Sequence, residues 1–454
     1  MIKNILIIAI LIFPVFSDAQ SFWKKTVLSN IQSRSGEERT IIPDKYETFS
    51  LDFKGLQKYL LQAPLETAPN RKTSELLLDI PMPDGKLEKF KIYESPVMDK
   101  GISARYPSIK SYKGYQLSDK SAHIRFSLSP NGFHAGIDQI DGEKYIDPFS
   151  SKNTDDYIVY NVRDHNPDTY KGVDLCGVDD VDRSHSIVNG PASRFAGEVE
   201  LREYKMAMAC TGEWGVKRGT VEKCLADINT MMIRMNLIYE TEMAMRFVII
   251  DDNDKLIFLN PLTDPYEDSD EGKKLVGLNT SKINALIPSS SYDIGHVLSV
   301  CFDIGGVAQG GSACQSNKGN GVTCNNNNDL TSIVTRVLAH EVGHQFGASH
   351  TWNICTSSAD QRAPGTAFEP GSGSTIMSYA GTCGTDNVVT NEDAYFHVGS
   401  LDQMYEKTTT GGNAYTCADK IATGNHFPVL SMPVKSYVIP VSTPFELSAS
   451  ATDE

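Results

Sequence analysis

Short apolar-rich runs broken by turn residues dominate the first third of the chain. "ELLLDIPMP" (75–83), "KFKIYESPV" (89–97) and "SAHIRFSLSPNGFHAGI" (121–137) have strand-like apolar content. Asp-Gly, Asn-Gly and proline signals separate them. Residues 21–190 therefore read as all-β or β-rich. A polar stretch, "VDRSHSIVNGPASRF" (181–195), follows. It reads as a linker that a protease could nick at Arg183 or Arg194, or equally as a plain surface loop.

Beyond the linker, strand and helix patterns alternate. "EVELREYKMAMA" (198–209) reads as a strand. "VEKCLADINTMMIRMNLIYE" (221–240) has Leu225, Ile228, Met232 and Met235 at helical spacing, and "MRFVIID" (245–251) is again strand-like. "TSIVTRVLAHEVGHQF" (331–346) predicts a helix that Asp329 or Thr331 can cap. Such alternation points to an α/β domain over 195–420. From about His426 the pattern becomes proline-punctuated short strands, which suggests the beginning of a β-sandwich-like module over 426–454.

Composition narrows the picture. A chain of 454 residues predicts two or three domains. The formal net charge of −15 argues against a nucleic-acid ligand, whose binding needs a basic surface. At the N-terminus Lys3 precedes an apolar run from Ile5 to Phe16, and Ser17-Asp18-Ala19 follows as a small-x-small site. Residues 1–20 thus read as a secretory signal peptide; as a membrane anchor the run is too short to span comfortably. No later segment is apolar enough to cross a bilayer. Export makes disulfides possible, and the nine cysteines leave one over if the others pair.

The densest chemistry lies in "HEVGHQFGASH" (340–350), which holds three of the ten histidines. On a helix, His340 and His344 leave the same face, the spacing for two ligands to one Zn²⁺. Glu341 is placed to take a proton from an activated water rather than to bind metal. Gly347 can end the helix in a left-handed turn, letting the chain double back and present His350 as third ligand. Three protein ligands leave a fourth position open, the pattern of a catalytic zinc. Five fixed positions arise by chance in roughly one chain in tens of thousands, so surface histidines are a poor account.

Downstream, "GSGSTIMSYAG" (371–381) sets Met377 in a small-residue turn. His340 to His350 plus Met377 resembles the metzincin clan of zinc endopeptidases, where a methionine turn underlies the metal. Within the clan, "GGVAQGGSAC" (305–314) and Cys355 resemble the reprolysin/adamalysin (M12B-like) group. That group has Asp after the third histidine, where this chain has Thr351. Met377-Ser378-Tyr379 resembles astacins and serralysins instead, whose tyrosine approaches the metal; Tyr379 is either an oxyanion stabiliser or a packed core tyrosine. "KGVDLCGVDD" (171–180) resembles the cysteine switch of reprolysin-type propeptides, in which a thiolate, here Cys176, binds the active-site zinc.

The resemblance implies an α/β (α+β) catalytic domain with a twisted mixed sheet and an active-site helix over 195–420. A β-rich propeptide over 21–194 would act as an intramolecular inhibitor. It also implies protein or peptide substrates, laid as a strand along Gly305–Gly311, and one catalytic zinc. Pairings implied are Cys314 with Cys417 and Cys355 with Cys383; a local Cys210–Cys224 bond would leave Cys301 with Cys324. Calcium finds no loop with a strong binding pattern. The competing reading is a secreted adhesion or binding protein keeping a non-catalytic zinc site, which would have no need of Glu341.

Overall fold

The structure is a computed structural model that describes residues 21–31, 39–165, 174–178, 198–267, 269–325, 330–431, 438–446 and 448–453. The expected signal peptide and the linker 181–195 lie outside these residues, as does Asp329.

The N-terminal region is a nine-stranded sheet, antiparallel throughout. In spatial order its strands are Trp23–Lys25, Glu47–Leu51, Asn153–Asn161, Lys144–Ser150, Gly132–Asp138, His123–Ser129, Lys110–Gln116, Leu87–Glu94 and Leu77–Pro81. The period-2 alternation sorts its side chains. Ile124, Phe126, Leu128, Phe133, Ala135 and Ile137 enter one apolar core, closed by Leu56 and Leu60 of the helix Phe53–Leu60. The opposite face carries Arg125, Ser127, His134 and Asp147. Water does not cover it. The helix Val221–Met243 does: Ser127 Oγ meets Thr230 Oγ1 at 3.2 Å and Arg234 donates to Asp147 Oδ1 at 2.7 Å. Gly136 permits this approach, since a Cβ there would lie 3.1 Å from Leu237 Cδ2.

Thr220 caps that helix by accepting from Lys223 N, and Ala244 ends it in the left-handed region at φ 49°. The sequence pattern showed one apolar stripe. In the structure Cys224 to Tyr239 are all buried, because the nine-stranded sheet covers one side and a second sheet the other.

The second sheet runs Asp174–Cys176, Ile304–Ala308, Gly321–Cys324, Ile294–Ser299, Glu198–Cys210, Met245–Ile249. It is mixed: Ile304–Ala308 pairs antiparallel with Gly321–Cys324, and the other neighbours in this row are parallel. Asp419–His426 adds antiparallel to the start of Glu198–Cys210. N-terminal residues touch both margins. Asp174–Cys176 lies along Ile304–Ala308, while Asp99 N donates to Ile249 O and Ile249 N to Val97 O, both at 2.9 Å.

The expected helix over 331–346 is not uniform. It is α-helical at Leu330–Ser332, π-helical at Ile333–Leu338 and α-helical again at Ala339–Gln345. The wider turns lie immediately before the histidines, a placement common at functional sites. Three implied disulfides form: Cys301–Cys324, Cys314–Cys417 and Cys355–Cys383. The Cys210–Cys224 bond does not. Both remain buried thiols aimed at carbonyls, Cys210 at Phe258 O (3.9 Å) and Cys224 at Gly215 O (3.8 Å). Burial pushes the Cys210 thiol well above its usual pKa, which keeps it inert. Cys176 is therefore one of three cysteines outside the disulfides and not a single leftover. In the tail, Val429–Ser431 pairs with Ser450–Thr452 as an exposed two-stranded ribbon. No helix among the described residues is long and apolar enough to cross a membrane.

Candidate metal centre

His340 and His344 occupy one face of the helix Ala339–Gln345, and both are buried. Gly347 follows with φ +96°, and Ala348 N returns to Gly343 O at 3.0 Å. This left-handed turn sends the chain back along the helix, so that His350 faces the pair. His344 Nε2 lies 3.1 Å from His340 Nε2 and 3.2 Å from His350 Nε2. Each Nδ1 is engaged by a backbone carbonyl: His340 with Ile376 O (2.7 Å), His344 with Ala348 O (2.7 Å), His350 with Gln361 O (2.9 Å). An Nδ1 bonded to a carbonyl carries the proton, so the three Nε2 lone pairs converge.

Cys176 supplies the fourth donor. Its Sγ is buried 3.6 Å from His344 Nε2, and all four donor atoms lie within 4.8 Å of one another. Tetrahedral zinc with bonds of about 2.0–2.1 Å to nitrogen and about 2.3 Å to sulfur spaces its ligands at about 3.3–3.6 Å. The donor set fits that ion. Cys176 arrives through main-chain pairing, with Cys176 opposite Gly306 and Gly177 N donating to Gly306 O at 2.8 Å.

Residues 201–407 match the profile of the Reprolysin-like metallo-peptidase family M12B. They are similar to a reprolysin-like metallopeptidase domain. The family implies zinc and protein or peptide substrates. No curated protein sequence matches the chain. Among solved structures, metalloproteinase-II from Bacteroides fragilis has 10% identity and a TM-score of 0.44, covering 79% of this chain and 96% of its own. A chaperone–substrate complex has 10% identity and a TM-score of 0.25, covering 50% of this chain and 32% of its own. At these scores neither carries an argument about this chain.

The remaining residues surround the metallopeptidase donors. Glu341 is fully buried under the edge strand: a Cβ on Gly306 would stand 2.7 Å from its Oε1. Met377 lies beneath the helix, where a Cβ on Gly343 would meet its Sδ at 2.7 Å. Tyr379 sets its ring edge-on to that of His350, centroids 4.8 Å apart, and donates to Gln361 Oε1. Its hydroxyl also reaches the Cys176 carbonyl at 3.5 Å.

Two groups escaped the sequence reading. His296 bonds Gln345 Oε1 at 3.2 Å and Thr323 Oγ1 at 2.8 Å, tying the helix to the sheet. Burial holds its pKa down at about 4, so it stays neutral. Glu369 sits between Thr351 and the methionine turn. A buried histidine on a strand, or a glutamate in a loop, carries no local pattern that marks it.

Proposed function

We propose that the chain is a secreted, zinc-dependent endopeptidase made as a latent zymogen, with residues 1–20 as signal peptide, 21–194 as propeptide and 195–420 as catalytic domain. The observation that carries this reading is the fourth donor. Three histidines alone suit a catalytic zinc; Cys176 fills the remaining position from the segment expected to be removed.

His340, His344 and His350 would hold the metal, and a zinc ion bound there would supply Lewis acidity toward the scissile carbonyl and a lowered pKa for its water. Glu341 accepts the proton of the attacking water and returns it to the leaving amine. The substrate lies along Ile304–Ala308, the edge that Asp174–Cys176 now occupies, and is held by main-chain bonds. Once Cys176 withdraws, its carbonyl leaves the Tyr379 hydroxyl, whose hydrogen then has to turn from Gln361 Oε1 to meet the developing oxyanion. Latency follows from two simultaneous blocks, sulfur at the metal and main chain on the substrate edge.

Purified mature protein should cleave an unfolded protein, lose that activity to a chelator, and lose it again as Glu341→Gln with its zinc retained. Undiminished cleavage by Glu341→Gln would overturn the mechanism. Retained zinc with no cleavage by the parent would favour a binding protein instead.

A further inference from the structure

Glu369 is almost fully buried, yet its carboxylate accepts four hydrogen bonds. Oε1 receives Ser374 N at 2.8 Å and Thr375 N at 3.1 Å. Oε2 receives Thr375 Oγ1 at 2.6 Å and Thr351 Oγ1. All four donors are neutral. A carboxylate removed from water is tolerated when hydrogen bonds to the charged form replace its hydration, and such bonds are short and strong. The turn also closes tightly over the group. Gly373 stands at φ +70°, and a Cβ there would meet Ser378 Cβ at 2.6 Å and Glu369 Cδ at 3.0 Å.

The four donors belong to two segments that hold the metal ligands. Thr351 directly follows His350. Its N–H donates to Met377 O at 3.1 Å, and its carbonyl accepts from Glu369 N at 2.9 Å. Ser374 and Thr375 open the methionine turn, whose next residue, Ile376, offers its carbonyl to His340 Nδ1 at 2.7 Å. Glu369 thus joins the loop segment that aims His350 to the turn that aims His340. The position after the third histidine, Thr351, is neutral in this chain, and the negative charge at this joint comes from eighteen residues downstream.

We propose that Glu369 is a positioning residue for the zinc site: it sets metal affinity by fixing the third histidine and the methionine turn in one arrangement. The proposal rests on the metallopeptidase reading above but concerns metal binding, not turnover. Partners that orient metal ligands typically change affinity about 10–100-fold when removed.

The test uses the full-length chain, measuring zinc affinity by competition with a chromophoric chelator and the visible spectrum of the cobalt-substituted protein, both well below the melting temperature. Glu369→Gln should weaken zinc about tenfold or more and shift the cobalt bands. Affinity within about twofold of the parent, with an unchanged spectrum, overturns the proposal. Should Glu369→Gln fail to fold, Thr351→Val removes a single donor and should weaken zinc a few-fold, while Thr351→Ser restores it. Equal affinity in all three overturns it as well. Glu341→Gln separates the two levels, for it should abolish cleavage by the matured protein and leave the zinc affinity of the full-length chain intact. A matured parent that binds zinc without cleaving defeats the peptidase reading, and the Glu369 proposal is still decided by affinity.

Discussion

Cys176 Sγ approaches His344 Nε2 to 3.6 Å although 168 positions separate them. The approach depends on a short parallel ladder, in which Asp174 and Cys176 sit opposite Ile304 and Gly306. Thiol and ladder make separate contributions, and they can be tested apart. Cys176→Ser removes the sulfur and keeps the ladder. The full chain should then show leaky cleavage of a peptide, below the rate of the mature enzyme. A fully latent Cys176→Ser chain would count against a switch.

Gly306→Ala probes the close approach of edge strand and helix. The added methyl falls 2.7 Å from Glu341 Oε1 and 2.5 Å from Val337 Cγ1. Helix or strand must shift, and a displaced base should lower kcat about 10²-fold. Parental kcat in a folded Gly306→Ala enzyme would show that the contact relaxes without moving Glu341.

Arg234 is fully buried on the long helix and bonds Asp147 at 2.7 Å across the two regions. Arg234→Met leaves the Asp147 charge without that partner and should destabilise the full chain by about 3–5 kcal/mol. The double variant Arg234→Met with Asp147→Leu should recover much of the loss, as replacing both members of a buried pair often does. Thermal melts of the full chain decide between these outcomes.

Acid should loosen the same contact. Burial favours the neutral form of Glu66, yet Lys113, Arg246 and Arg125 override it and hold the pKa at about 2. Glu240 and Asp147 are likewise held low against burial, by Arg125 and Arg246 and by Arg234 with His134. A depressed pKa stabilises above the unfolded value, and that contribution disappears as pH falls from about 4.5 toward 2. After cleavage in the segment 181–195, the two pieces should co-elute at neutral pH and separate near pH 3. Co-elution at both values would show that apolar contact alone holds them.

Glu143 behaves in the opposite sense. Burial raises its pKa from 4.5 to about 8, against the bond it receives from Tyr145. A raised acid favours the folded state below about 4.5, and that advantage fades as pH climbs to about 8. The difference is worth a few kcal/mol at about 1.4 kcal/mol per unit. Glu143→Gln should flatten the decline in melting temperature over this window; an unaltered slope would assign the decline elsewhere.

The metal ligands were legible because they are local. Helical periodicity and one glycine at positive φ bring His340, His344 and His350 together within eleven residues. Glu369 was not, since its partners at 351 and 374–375 meet it only after the loop has folded. What covers the polar face of the first sheet was not legible, because alternation shows which residues share a face and not what lies on it; that face meets Val221–Met243. Counting cysteines also misled: Cys210 and Cys224 stay reduced in the interior, so an odd total could not by itself single out Cys176.

The N-terminal region touches the second sheet at both margins, at Ile249 and along Ile304–Ala308. Unpaired strand margins are templates on which a second copy can add. A single departure would bare both at once, so the freshly matured form would be the one most prone to stick to itself, and crowding at that moment would set how concentrated it can become.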